Sequence, residues 1–142
     1  MIRQLNYYDF RDLSLRLAYY PENYTITFFC TEEEDRNFFI KLIKSITKIE
    51  PKVSIKGNTF FENKHTRIKI MHTPFAGCQF LGCRSNAIIT DIDQNSDFFR
   101  EVILPMCNIG PTQIVYTYNK DTLLDFEEYH EKIQKLWEEE KF

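Results

Sequence analysis

Between Tyr8 and Tyr20, Phe10, Leu13, Leu17 and Tyr20 recur at i, i+3, i+7 and i+10 with Arg11, Asp12 and Arg16 between them. This spacing predicts an amphipathic helix halted by Pro21. The pattern then changes. Tyr24-Thr25-Ile26-Thr27-Phe28-Phe29-Cys30 is β-branched and aromatic throughout, the preference of a largely buried strand. Thr31-Glu32-Glu33-Glu34 has the spacing of a capping box and opens a helix to about Thr47 that turns Phe38, Phe39, Leu42, Ile43 and Ile46 inward.

From Val53 the period shortens to two. Val53 to Lys56, Gly57 to Phe61 and Thr66 to Met71 read as strands, the last two joined as a hairpin through Glu62 to His65. Thr73 to Ser85, with Pro74, Gly77 and Gly82, reads as a loop. It leads to Asn86-Ala87-Ile88-Ile89-Thr90-Asp91-Ile92-Asp93, a short apolar run ending in carboxylates and predicted to be a buried central strand. A helix follows from Asp97 to Met106, ended with the help of Pro105; then a strand from Thr112 to Tyr118 and an acidic helix from Asp121 to about Glu140. In that last helix Leu124, Phe126, Tyr129, Ile133, Leu136 and Trp137 form the packing stripe, with Trp137 anchoring it to the sheet. Helices alternating with strands predict one α/β domain over residues 1–142: three layers, a mainly parallel sheet with an antiparallel hairpin, and helices on both faces.

Composition narrows the class. The 142 residues are 43% hydrophobic, 27% charged and 15% aromatic, with thirteen Phe and eight Tyr, which excludes a disordered or collagen-like chain. No apolar stretch approaches the roughly 20 residues that span a bilayer, and no signal-peptide pattern follows Met1, so no membrane association and a cytoplasmic location, host cytoplasm for a viral chain, are expected. Cys30, Cys78, Cys83 and Cys107 are expected to remain thiols. The net charge of −3 conceals a basic stretch from Lys41 to Lys69 and an acidic one from Lys120 to Phe142. Lys56, Lys64, Arg67 and Lys69 are therefore the candidates for contact with an acidic partner or nucleic acid.

The candidate chemistry centres on Asp91 and Asp93. With Asn95 and Asp97 they mimic a calcium loop, but Ser96 stands where that loop needs Gly and Val102 where it needs Glu, so an EF-hand is excluded. Asp91 and Asp93 suit Mg²⁺, which needs one or two carboxylates with water and phosphate. The competing reading has Asp93, Asn95 or Ser96 starting the next helix and Asp91 held by backbone donors. His72, Cys78, Cys83 and Cys107 lack the usual zinc spacing, and nothing local equips Cys30 or Cys83, with His72 or His130, for nucleophilic catalysis.

The stretch from Tyr24 to Tyr118 resembles the P-loop, RecA-like ATPase core of viral large terminases and helicase-like motors. The resemblance rests on Leu81-Gly82-Cys83-Arg84-Ser85-Asn86 leading into Ala87-Ile88-Ile89-Thr90-Asp91 as a Walker B strand, on Gly57 to Ile68 as the hairpin, and on Tyr116-Thr117-Tyr118-Asn119 as the coupling strand. It implies a truncated, degenerate member. Arg3-Gln4-Leu5-Asn6-Tyr7-Tyr8 stands where Walker A belongs and shares only its Arg-Gln entry, with Asn6, Tyr7 and Tyr8 in place of Gly, Lys and Thr, and the strand that should precede it is expected to be missing. Ile92 occupies the position of the catalytic Glu. The implied function is a non-catalytic, regulatory module without cofactor, of viral or mobile-element origin, contacting a nucleic-acid motor or a host factor. Asp91-Ile92-Asp93 is also similar to the metal-binding motif of Toprim domains, which implies a Mg²⁺-dependent nucleic-acid enzyme. There the earlier acidic motif, Glu32 to Asp35, is one residue short and has Glu33 in place of Gly.

Overall fold

Alternation along the strands sorts the apolar side chains onto two faces, and the helices cover both. The computed structural model describes residues 2–19, 23–53, 59–63, 66–72, 85–109 and 112–140. The elements are β1 (Ile2–Gln4), α1 (Tyr7–Tyr19), β2 (Tyr24–Cys30), α2 (Glu33–Thr47), β3 (Lys52–Val53), β4 (Thr59–Asn63), β5 (Thr66–His72), β6 (Ala87–Thr90), a π-helical turn (Phe99–Ile103) running into α3 (Leu104–Ile109), β7 (Ile114–Thr117) and α4 (Lys120–Glu140). They form a seven-stranded sheet in the order β1-β7-β6-β2-β5-β4-β3. The first five strands of that order are parallel, and β4 and β3 add an antiparallel extension. This is the expected mixed sheet with its hairpin. The middle strand is β2 rather than β6, although all four residues of β6 are buried.

On one face Ile26, Phe28, Ile68, Ile70, Ala87 and Ile89 meet α1, α2 and α4; on the other, Phe29, Ile88 and Val115 meet Phe99 and Ile103. The first core is largely aromatic. Phe28 and Phe39 lie 4.8 Å apart between ring centroids, Phe10 lies 5.4 Å from Phe126 and 6.2 Å from Phe28, and Phe39 meets Tyr118 edge-on at 5.0 Å. Each fully buried ring contributes about 1.5–3 kcal/mol relative to exposure, which lets a short sheet hold three helices.

Several expectations need correction. A strand does precede the turn at Leu5-Asn6: Ile2–Gln4, which takes in the Arg-Gln pair itself, pairs parallel to Val115, Tyr116 and Thr117. A three-residue edge strand carries too little periodicity to be read, and only its pairing partner reveals it. The capping box is not formed, because Glu32 is the N-cap of α2 without a side-chain cap bond and Thr31 is turned to another partner. Pro105 does not end its helix, which continues to Ile109; in the turn before it the ladder widens, with the Leu104 N–H reaching the Phe99 carbonyl. Glu62 and Asn63 belong to β4 rather than to the hairpin turn. In α4 the buried apolar residues are Leu123 and Phe126, while Leu124, Tyr129 and Leu136 are exposed. The side chain of Trp137 and residues 73–84 lie outside the described residues. No helix among the described residues is long and apolar enough to cross a membrane.

Candidate functional site

Five parallel strands deliver their carboxyl ends to one edge of the sheet, and the titratable groups converge there. The Leu5 N–H donates to the Thr117 carbonyl at 2.8 Å and the Tyr118 N–H to that of Thr90 at 3.1 Å, so the exits of β1, β7 and β6 are tied together. Thr90 Oγ1 donates to the Phe29 carbonyl at 2.9 Å and accepts from the Ile92 N–H at 3.1 Å, which fixes the chain as it leaves β6.

The two carboxylates singled out from the sequence have different surroundings. Asp91 Oδ1 accepts from the Thr31 N–H at 3.0 Å, and Oδ2 accepts from the Thr31 hydroxyl. Asp93 is exposed; its Oδ1 accepts from the Asn95 N–H at 2.9 Å, while its carbonyl accepts from the Ser96 N–H and hydroxyl. Ser96 Oγ in turn accepts from the Phe99 N–H at 3.2 Å and so caps the helix that follows. Ile92 packs against the second core cluster. Among the described residues no group of three or more His, Cys, Asp or Glu is placed to hold a metal ion.

Beside Asp91 lies a polar cluster that joins Glu32 and Asp35 of the acidic motif to Tyr118 and Lys120, partners the sequence did not connect with them. Asp35, in the first turn of α2, is 3% exposed; its Oδ1 accepts from Lys120 Nζ at 2.7 Å, and its Oδ2 accepts from the Tyr118 hydroxyl at 3.4 Å. Lys120 also reaches Glu32 Oε2 at 2.5 Å. The hydrogen bonds to Asp35 and then to Glu32 push the Lys120 pKa above its ordinary value. Burial raises the Tyr118 phenol, and the neighbouring Cys30 thiol adds to this. Cys30 itself is pushed up to about 12, chiefly by burial and against its side-chain interaction with Tyr118. One signal was present: Asp35 stands on the same stripe as Phe39 and Leu42, and a carboxylate there needs a buried partner. Lys120, 85 residues away, could not be assigned from the sequence.

The basic candidates lie elsewhere. Arg67, on β5, pairs with Glu62 across the strands at 2.8 Å and lies over the Phe60 ring. Its register partner Thr25 is six residues before Thr31, so Arg67 is roughly 20 Å from the carboxyl edge. Lys69 is half-buried on the same strand, and Lys56, Lys64, Cys78 and Cys83 lie outside the described residues.

The exit of β1 completes the edge. Leu5 and Asn6 alone join β1 to α1, and Asn6 Oδ1 accepts from the Asp9 N–H at 2.8 Å as a helix cap. Tyr7 is buried, stacked on Tyr129 at 5.7 Å, while Tyr8 is exposed with its hydroxyl 3.4 Å from that of Tyr129. A cleft of about 510 Å³ runs from this turn to α4, where Asp121 and Asp125 line it.

No protein-family model matches the sequence, and a search of curated proteins finds no relative. Among solved structures the chain is similar to the crystal structure of the HK97 bacteriophage large terminase, with a TM-score of 0.51 and 11% identity over 83% of this chain. The chain spans 29% of that protein's length, and the likeness is one of fold: part of a large terminase and this chain share an α/β sheet architecture.

Proposed function

We propose that this chain is a degenerate P-loop-like module, of viral or mobile-element origin, that works by protein–protein contact with a nucleic-acid motor or a host factor and does not hydrolyse nucleotide. The observation that carries this reading is the β1–α1 turn. A phosphate-binding loop wraps its ligand in backbone N–H groups, a freedom that glycine supplies, and adds a lysine for the β and γ oxygens. Here the turn is Leu5-Asn6, the helix begins with a buried Tyr7, and Asp121 and Asp125 line the facing wall. Two carboxylates in a cleft repel a triphosphate. The lysine of the sheet edge, Lys120, is held by Asp35 and Glu32.

The terminase-like fold supports a relation to such motors, and the fold alone carries no activity. A Mg²⁺ ion at Asp91 and Asp93 would compete with Thr31 for both oxygens of Asp91 and with the Asn95 N–H for Asp93. Binding of ATP with Mg²⁺ is tested by the melting temperature, since any ligand specific to the folded state raises it. No shift and no phosphate release are expected. ATP hydrolysis, or Mg²⁺-dependent DNA cleavage lost in Asp91→Ala, overturns the reading; recovery of a motor ATPase or a host protein on the immobilised chain supports it.

A further inference from the structure

Helices α1, α2 and α4, with Lys48 at the end of α2, flank a half-open cavity of about 390 Å³ whose lining includes no strand residue. Four side chains from three helices form a hydrogen-bonded chain along it. Gln134 Nε2 donates to Ser45 Oγ at 3.0 Å, Ser45 Oγ lies 2.9 Å from His130 Nε2, and His130 Nδ1 lies 3.0 Å from the Tyr7 hydroxyl. In neutral His130 one ring nitrogen donates and the other accepts, and the Ser45 and Tyr7 hydroxyls can each donate or accept to match. His130 is thus a neutral base with both nitrogens engaged. Its pKa is lowered by burial and then by Lys48, with Glu131 opposing.

Two cations line the same cavity, Arg11 and Lys48, and neither makes an ion pair with a described residue. Lys48 has φ 61° and ψ 17°, the left-handed conformation that a β-carbon disfavours and that helix C-termini usually give to glycine. Among the described residues it is the one non-glycine with positive φ. The helix dipole favours a cation at the end of α2, but it does not account for Arg11 on another helix. Strain at a non-glycine position beside a cavity points to a requirement for the side chain. Leu15, Ile46 and Ile133 supply an apolar wall, and Glu138 is the single carboxylate in the lining.

We propose that this cavity binds a small phosphomonoester, its phosphoryl oxygens held by Arg11 and Lys48 and its organic part set against Leu15, Ile46 and Ile133. A phosphate group carries about −1.5 to −2 charges at neutral pH, which the two cations oppose with Glu138 subtracting one. The titratable groups facing His130 are Tyr7, Arg11, Lys48, Glu131 and Glu138. A dianion among them favours the imidazolium, so binding takes up a proton, and His130 then donates from both nitrogens. The cavity excludes the Leu5-Asn6 turn, and this binding is independent of whether the chain hydrolyses ATP.

The test uses the full chain and phenyl phosphate as probe, read by the His130 ring signals in NMR and by melting temperature. The expected result is a saturable shift, a raised His130 pKa and a higher melting temperature, with benzoate at least about tenfold weaker because it carries one charge. Lys48→Gly keeps the left-handed turn at no steric cost and so remains folded, yet lowers affinity about tenfold or more; Arg11→Gln does the same. Absence of a saturable shift in the unmodified chain, equal binding by Lys48→Gly, or equal binding of benzoate overturns the proposal.

Discussion

Lys120 Nζ lies 2.7 Å from Oδ1 of Asp35, joining the first residue of α4 to a carboxylate that the first turn of α2 carries into the core. Removing the ammonium leaves that carboxylate with the Tyr118 hydroxyl as its remaining side-chain donor. Lys120→Met is therefore expected to lower unfolding stability by about 1–3 kcal/mol, at the lower end because the Lys120 side chain is half-exposed and water replaces part of the interaction. The Lys120 pKa is raised, so its contribution is fully present below the ordinary lysine value and is lost only as pH rises through the higher folded one. Urea denaturation at pH 7 measures the effect; an unchanged midpoint would sink this account of the cluster.

Burial fixes the reactivity of Cys30. With its pKa pushed up to about 12, almost none of the thiol is thiolate at pH 7.5, and the group is fully buried. Site-resolved mass spectrometry after iodoacetamide treatment should find Cys30 unmodified in the folded chain and alkylated in urea. Cys107, raised less and half-buried, is expected to react first of the two.

His130 sets a pH dependence. Its folded pKa lies below its ordinary value near 6.5, so on acidification the unfolded chain takes up the proton first. The stability that a neutral His130 contributes is complete above about pH 6.5 and is lost as pH falls through the lowered folded value. Denaturation curves between pH 7.5 and 5.5 should show a decline that His130→Gln reduces. Equal slopes for the two proteins would show that other groups govern that range.

Thr31 gives a test of the β6 exit. Thr31→Val removes the hydroxyl donor to Asp91 and keeps the N–H donor, for an expected loss of about 0.5–1.5 kcal/mol. Asp91→Ala removes both bonds and should cost more. If Asp91→Ala is the milder change by thermal melting, the carboxylate is not held through Thr31.

Within the core, Phe28 touches Phe10 and Phe39 and is 1% exposed. Phe28→Ala should cost about 3–5 kcal/mol, enough to threaten a domain of this size, whereas an Ala at exposed Leu136 should be nearly neutral. Thermal melts of the two variants make the comparison.

The elements that were legible in the sequence are those whose period is strong over many residues. Phe10, Leu13 and Leu17 are buried as their spacing requires, and so are Phe39, Leu42 and Ile43. The alternation in Thr66 to Met71 and the apolar run of Ala87 to Ile89 likewise became strands, Thr66–His72 and Ala87–Thr90. The failures share a cause. Ile2–Gln4 is too short to have a period, the face of α4 was read one residue away from Leu123, and Thr31 has two rival uses of which the sequence displays the local one.

Local order and side-chain face are properties of neighbouring residues, so the sequence by itself determined an α/β chain, its parallel sheet with a hairpin, and the position of Asp91 at a strand end. Which strand stands in the middle, which cation meets Asp35, and which helices bring Tyr7, Ser45 and His130 together were decided by tertiary structure alone. Those contacts join residues 85 to 123 positions apart. Closing such distances is settled by packing the whole sheet and its helices, and no short window of residues carries the information.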